Sequence, residues 1–208
     1  MLKTRPVLMS DPLRPVLAAL GRNGTASSDF DLNPDTVLPE GRKLRPAGVL
    51  VPILCTGSEG RLYLTKRSSA LKHHPGQIAF PGGKQDEGDA DITAAALREA
   101  HEEIGLHPSN VEVLGHLPVH ETVTGFEVTP VVARIRAPFD AVAEPGEVDE
   151  VFDVPLSHVL SPSRYTIQAR RWRGTWRKYY AVPFGPYYIW GATARILRAM
   201  ADGAEPSA

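Results

Sequence analysis

Arg98, Glu99, Glu102 and Glu103 stand together in "REAHEEIGL", which closes the stretch "GGKQDEGDADITAAALREAHEEIGL" from Gly82 to Leu106. The three glutamates are spaced i, i+3 and i+4. On a helix of about 3.6 residues per turn, such positions share one face within about 100°. Like charges so placed repel by roughly 0.2–0.5 kcal/mol per pair in an isolated helix. Taken alone, the spacing also suits a solvated acidic face. Two features favour a bound cation instead. A hard divalent ion removes the repulsion, because Mg²⁺ takes oxygen ligands and keeps waters for substrate phosphates. The run also follows a double glycine, Gly82–Gly83, where backbone can pass through a tight space. Arg98 precedes Glu102 by four residues and can pair with it, fixing its rotamer.

The elements around this run must hold it in place. "PAGVLVPIL" (Pro46–Leu54) reads as a buried strand, "SEG" as a turn, and "RLYLTKR" (Arg61–Arg67) alternates as a second strand. "QIAF" is a short strand ending at the glycine pair. A helix is expected from about Asp91 to Ile104, with Gly105 at its C-terminal cap and Ala96, Leu97, Ala100 and Ile104 facing the core. "VEVLGHLPV" and "FEVTPVVARI" are further strands. "VDEVFDVPLSHVL" is a strand running into a short helix, and "GTWRKYYAVPF" with "YYIW" suggests a hairpin. "GATARILRAM" is a final helix. Strands meeting mostly through hairpins, with a few helices between, indicate an α+β fold: an α/β/α sandwich around a central mixed sheet. Residues 1–46 read as an N-terminal appendage of one short helix, capped by Ser10 or Asp11 with Pro12 in its first turn, and a long loop. Residues 47–200 form the domain and 201–208 a flexible tail.

The totals exclude several classes. The 208-residue chain is long enough for one sizeable core. Its 42% hydrophobic and 23% charged residues are ordinary for a globular protein. A net charge of -1 argues against a general nucleic-acid binder. One cysteine, Cys55, rules out an internal disulfide and reads as a reduced, buried thiol. No uninterrupted apolar stretch approaches the roughly 18 residues of a membrane span. The first twenty residues carry prolines and an aspartate where a signal would need an apolar core. A cytoplasmic location is the expectation.

The stretch from Gly83 to Leu106 resembles the Nudix box, a loop–helix–loop motif of hydrolases that cut nucleoside diphosphates linked to another moiety. "REAHEEIGL" matches its second half position by position, with Ala100 as the small apolar residue. In the first half, Asp89 takes the place of the family's glutamate, and the gap to Arg98 is one residue longer. The preceding run, "LTKRSSALKHHPGQIAFPGGKQDEGD" (Leu64–Asp89), is similar to the extended signature of the coenzyme A pyrophosphatase branch. The elements of that match are Arg67-Ser68, Leu71, His74, Gly76-Gln77 and Phe80-Pro81-Gly82-Gly83; Lys72 replaces that branch's usual arginine. The resemblance implies a Nudix-like sandwich and hydrolysis of CoA or an acyl-CoA to 3',5'-ADP and a 4'-phosphopantetheine. It implies Mg²⁺ or Mn²⁺ held by Glu99, Glu102 and Glu103, with Arg98 orienting them. Arg67, His74, Gly82 and Gly83 are then candidate substrate contacts. Another nucleotide substrate, such as ADP-ribose, NADH or a dNTP, stays open, as does a non-catalytic nucleotide-binding module. No nucleic-acid or membrane partner is expected, and a homodimer is left open.

Three clusters remain. His73 and His74 are adjacent and lack the i, i+4 spacing of a zinc pair. "RRWRGTWRKYY" (Arg170–Tyr180) reads either as a hairpin about Gly174 with exposed arginines and buried aromatics, or as an arginine fork, Arg171 and Arg173, for the 3'-phosphate of CoA. Glu144, Glu147, Asp149 and Glu150 form an acidic loop, either a solvated turn or the source of one more carboxylate. A ligand bound to a cation is a weak base, so Glu147 is the candidate for activating water.

Overall fold

The computed structural model describes residues 11–22, 24–172 and 174–205. In chain order the elements are α1 (Arg14–Leu20), β1 (Ser27–Ser28), β2 (Arg45–Thr56), β3 (Glu59–Arg67), β4 (Ile78–Ala79), β5 (Gly82–Lys84), α2 (Ile92–Ile104), β6 (Val111–His116), β7 (His120–Glu121), β8 (Phe126–Ile135), β9 (Val148–Pro155), α3 (Leu156–Val159), β10 (Thr166–Trp172), β11 (Thr175–Ala181) and α4 (Ala192–Ala204). Among the described residues, nine strands form one sheet, with the path β1-β7-β8-β2-β3-β4. β5 adds to β2, β6 to β8 and β9 to β3. The long central pair β2 and β8 is parallel from Arg45/Phe126 to Leu54/Ile135, while β2/β3, β3/β9 and β6/β8 are antiparallel. The sheet is therefore mixed.

Both faces of β2 and β8 are apolar, and helices cover each. One face carries Leu50, Leu54, Val131, Ala133 and Ile135 against Ala96, Ala100 and Ile104 of α2. The small alanines let α2 lie close. A Cβ on Gly48 would sit 2.4 Å from the Ile92 carbonyl, so this strand position must be glycine. The opposite face packs Val51, Ile53, Leu62, Leu64 and Val132 against Leu13, just before α1, Val16 of α1, and Leu197 and Met200 of α4. Fully burying one such Leu or Ile contributes roughly 1.5–3 kcal/mol.

Two sequence boundaries shift. Residues 11–46 pack as part of the domain rather than beside it: Leu13 and Val16 are fully buried, and β1 pairs in parallel with β7. Buried Ser27 Oγ meets His120 Nδ1 at 2.9 Å, and Asp29 meets His120 Nε2 at 3.2 Å, which fastens the segment to the sheet. Pro15, rather than Pro12, falls in the first turn of α1. Asp11 accepts from the Leu13 N–H at 3.0 Å; Ser10 lies outside the described residues. At the other end α4 runs to Ala204, with Ala201 fully buried inside the stretch expected as a tail. Cys55 is half-buried and free, and burial raises its thiol pKa. Among the described residues no helix is long and apolar enough to cross a membrane.

Candidate active site

The carboxylate run lies on α2, which starts where expected. Asp91 caps it by accepting from the Ala94 N–H at 2.8 Å, and Gly105 ends it in the left-handed region at φ 71°. The apolar stripe faces β2 and β8, so the glutamates fall on the flank of the buried face. They do not share one environment. Glu103 is 5% exposed and accepts from the Gly82 N–H at 3.1 Å. The Glu99 side chain is 16% exposed and Glu102 is 56% exposed. Glu99 and Glu103 form an inner pair, with Glu102 on the rim.

The electrostatics follow that order. Burial pushes the Glu103 carboxyl up to about 7, the charges of Glu99 and Glu147 add to the rise, and the Gly82 N–H and Arg67 oppose it. Burial also raises Glu99, with the Arg98 guanidinium opposing and Glu102 and Glu147 adding. Glu147 is exposed on the turn before β9, at Gly146 (φ 91°), yet its charge reaches both inner carboxylates.

Arg98 organises the outer side. Its Nε and Nη2 grip Asp89 at 2.9 and 3.0 Å as a two-pronged fork, and Nη1 donates to Glu99 and to Glu102, both at 3.0 Å. Hydrogen bonding to Asp89 leads the causes that raise the Arg98 pKa, and the Arg98 guanidinium in turn holds Asp89 below the usual carboxylate range. The shorter acid at the box's first position thus serves as the anchor of the arginine, a role the sequence pattern did not assign. Asp89 also accepts from the Asp86 N–H at 2.8 Å, which closes the longer loop on itself.

The glycine pair passes through a tight space, as expected. A Cβ on Gly83 would lie 2.4 Å from Glu99 Oε1, and one on Gly82 would lie 2.4 Å from the Gly48 carbonyl and 2.6 Å from Val49 Cα. Gly83 makes room for the Glu99 carboxylate. Gly82, at φ 154°, makes room for β2 and points its N–H at Glu103.

The remaining candidates are spread wider. Arg67 ends β3, where its charge acts on Glu103. His74 stands exposed in the following loop at φ 55°, a left-handed conformation uncommon outside glycine. Arg171 is exposed on β10, which among the described residues pairs with β11 in a separate two-stranded sheet, and its described hydrogen bond is to the Gly174 carbonyl of its own hairpin. Arg173 lies outside the described residues. The hairpin turns at Gly174 (φ 83°) as one reading required, but Trp176 is 67% exposed rather than buried. "YYIW" folds back antiparallel on the end of that run, with bridges Ala181/Trp190 and Phe184/Tyr187 and the Val182 N–H donating to the Ile189 carbonyl at 2.9 Å, while the full-length strand partner of β11 is Thr166–Trp172. Glu150 is taken up by the Tyr187 hydroxyl.

Among the described residues, no three acidic, histidine or cysteine groups are gathered closely enough to hold a metal ion as they stand. The donor chemistry nonetheless fits a hard divalent cation. Glu99 and Glu103 offer only oxygens, both are destabilised as anions by burial, and each is destabilised further by carboxylates nearby. A cation relieves all of these at once.

A family model described as the NUDIX domain matches residues 45–175 of the chain. A relative from Enterobacter sp. (strain 638), named "Uncharacterized Nudix hydrolase NudL", is 46% identical over 157 residues, 76% of this chain and 81% of the relative. A Citrobacter koseri protein of the same name is 43% identical over 84% of this chain and 90% of its own length. The likeness to solved structures is looser: a C. elegans Ap4A hydrolase complex aligns with TM-score 0.47 at 21% identity, covering 55% of this chain and 82% of that one. The family match and the sequence relatives therefore carry the assignment.

Proposed function

This chain belongs to the Nudix family, and from that premise we propose that it hydrolyses the pyrophosphate bond of coenzyme A or an acyl-CoA, giving 3',5'-ADP and the (acyl-)4'-phosphopantetheine. The observation that carries the reading is Glu103. It is a carboxylate nearly removed from solvent, pushed up to about 7 and flanked by Glu99. Such a group is poorly used by a fold unless it serves a ligand or a proton.

Glu99 and Glu103 would hold Mg²⁺ or Mn²⁺, with Glu102 joining from the rim. When bound, such an ion neutralises the pyrophosphate oxygens and acidifies an attacking water. Arg98, fixed by Asp89, keeps Glu99 and Glu102 oriented. Glu147 would accept the proton of the attacking water, because the inner carboxylates are committed as ligands. The charge of Arg67 acts on Glu103, and Arg67 would meet the anionic substrate.

The CoA assignment draws on the likeness of Leu64–Asp89 to the CoA pyrophosphatase branch. Of that stretch, Gly82 and Gly83 lie against Glu103 and Glu99, and the charge of Arg67 acts on Glu103. His74, Arg171 and Arg173 are further candidate contacts for the substrate. The test is to incubate the protein and Mg²⁺ with CoA, acetyl-CoA, ADP-ribose, NADH and dNTPs and identify products by mass. Release of 3',5'-ADP from CoA, faster than any other cleavage, is the expected result. Preferential cleavage of ADP-ribose, NADH or a dNTP would move the chain to another substrate class, and no turnover of any of them would leave a nucleotide-binding module.

A further inference from the structure

Ser68 and Ser69 follow Arg67 directly, and neither is explained by metal or by substrate charge. Ser68 is 5% exposed and donates its backbone N–H to the Glu147 carbonyl at 2.8 Å. The Ser69 N–H donates to Asp149 Oδ2 at 2.9 Å. That N–H leads the causes that hold the Asp149 carboxylate below the usual carboxylate range, and the neighbouring Ser68 and Ser69 hydroxyls add to it. The acidic loop before β9 is thus tied to the end of β3 at two adjacent amides.

The strand ladder shows why a side chain must do this. Lys66 pairs with Glu150 and Arg67 with Val148, so the register shifts and Asp149 has no partner across. It is the extra residue of a β-bulge, a device that bends a strand and re-aims the residues beside it. Asp149 has no ladder partner, and its carboxylate on the Ser69 N–H supplements the Ser68 N–H bond to the Glu147 carbonyl in holding the strand at this point. On one side of the tie is Arg67 and on the other is Glu147, and both act on Glu103. Glu150, one residue on, is fixed separately by the Tyr187 hydroxyl, and Tyr187 stacks on Phe152 at 3.6 Å.

We propose that Asp149 is a positioning residue: by bridging to Ser69 across the bulge it sets where Glu147 stands relative to the carboxylates of α2. This rests on the reading of Glu147 given above. The contact joins the loop after β3 to the acidic loop, so it couples the two.

The test compares D149A, D149N and E147Q, and the double variant D149A/E147Q, by steady-state kinetics on the best substrate and by amide hydrogen exchange in the absence of metal. D149A is expected to lower kcat on the order of 10- to 100-fold with KM nearly unchanged, the usual cost of losing an orienting partner. D149N keeps an acceptor oxygen of the same reach and should recover most of the loss. In the E147Q background, D149A should add less than about threefold, since both changes act through one group. Exchange at Ser69 should rise by about tenfold or more in D149A and stay as in wild type in E147Q. Unchanged exchange at Ser68 and Ser69 in D149A would overturn the tie, and an equal loss of kcat from D149A in both backgrounds would overturn its action through Glu147. Full activity of E147Q would instead overturn the underlying reading of Glu147, with the exchange data still deciding the tie.

Discussion

Glu103 on α2 and Arg171 on β10 both stand in charged runs that pointed to a ligand, and the fold treats them in opposite ways. Glu103 is 5% exposed, bonded to the backbone of β5 and surrounded by Glu99, Arg67 and Glu147. Arg171 stands in solvent on a two-stranded sheet, with its described bond inside its own hairpin. The comparison teaches that charge patterning alone does not locate chemistry. A charge becomes informative when the fold has paid to desolvate it and has left part of that cost unrelieved.

The sharpest way to break the comparison is at Glu103. E103Q keeps the shape and removes the charge, so kcat should fall on the order of 10²- to 10⁴-fold, the range of a positioned ionisable group. The same substitution should change the pH dependence of stability in metal-free protein. The folded-state pKa of Glu103 is raised from 4.5 to about 7, so the folded chain binds this proton more tightly than the unfolded chain. The group's contribution to stability is full below about pH 4.5 and is lost as pH rises through about 7. Wild type should lose stability across that window by more than E103Q does, in denaturant titrations at pH 5 and pH 8. Parallel curves for the two proteins would mean that Glu103 is not a strained carboxylate.

The next step outward is the acidic loop. E147Q should lower kcat on the order of 10- to 100-fold with little change in KM, and by more than E144Q or E150Q. Glu150 is the stricter control, since it already has a partner in Tyr187. Equal effects at the three positions would reduce the loop to a solvated turn. The smallest effect belongs to the hairpin. R171A should raise KM for CoA by no more than about tenfold, a charge-assisted contact weakened by water, and leave dephospho-CoA unaffected. Equal behaviour of the two substrates would return Arg171 to the surface.

What the sequence made legible divides along chain separation. The span of α2 from about Asp91, Gly105 at its C-terminal cap and the Arg98–Glu102 pair follow from i, i+4 spacing and local propensity, and the structure has each of them. The long strands were legible from their apolar runs, because β2 and β8 are buried on both faces. Features made by distant pairing were not. The joining of β1 to β7 through His120 spans roughly ninety residues, and nothing local marks Ser27 as a buried residue. The anchoring of Arg98 by Asp89 depends on a loop folding back on itself, and the Asp149–Ser69 tie depends on a register shift between two strands. The tight passage at the glycine pair was legible, but not what fills it, because the atoms it avoids belong to β2 and to Glu99.

The most direct measurement is a Mn²⁺ titration of the metal-free protein followed by electron paramagnetic resonance, comparing wild type with E99Q/E103Q. If the inner pair holds the cation, wild type binds Mn²⁺ and the double variant loses affinity by about 100-fold or more, as removal of charged ligands from a hard ion requires. Equal Mn²⁺ affinity in the two proteins would contradict a cation site at Glu99 and Glu103.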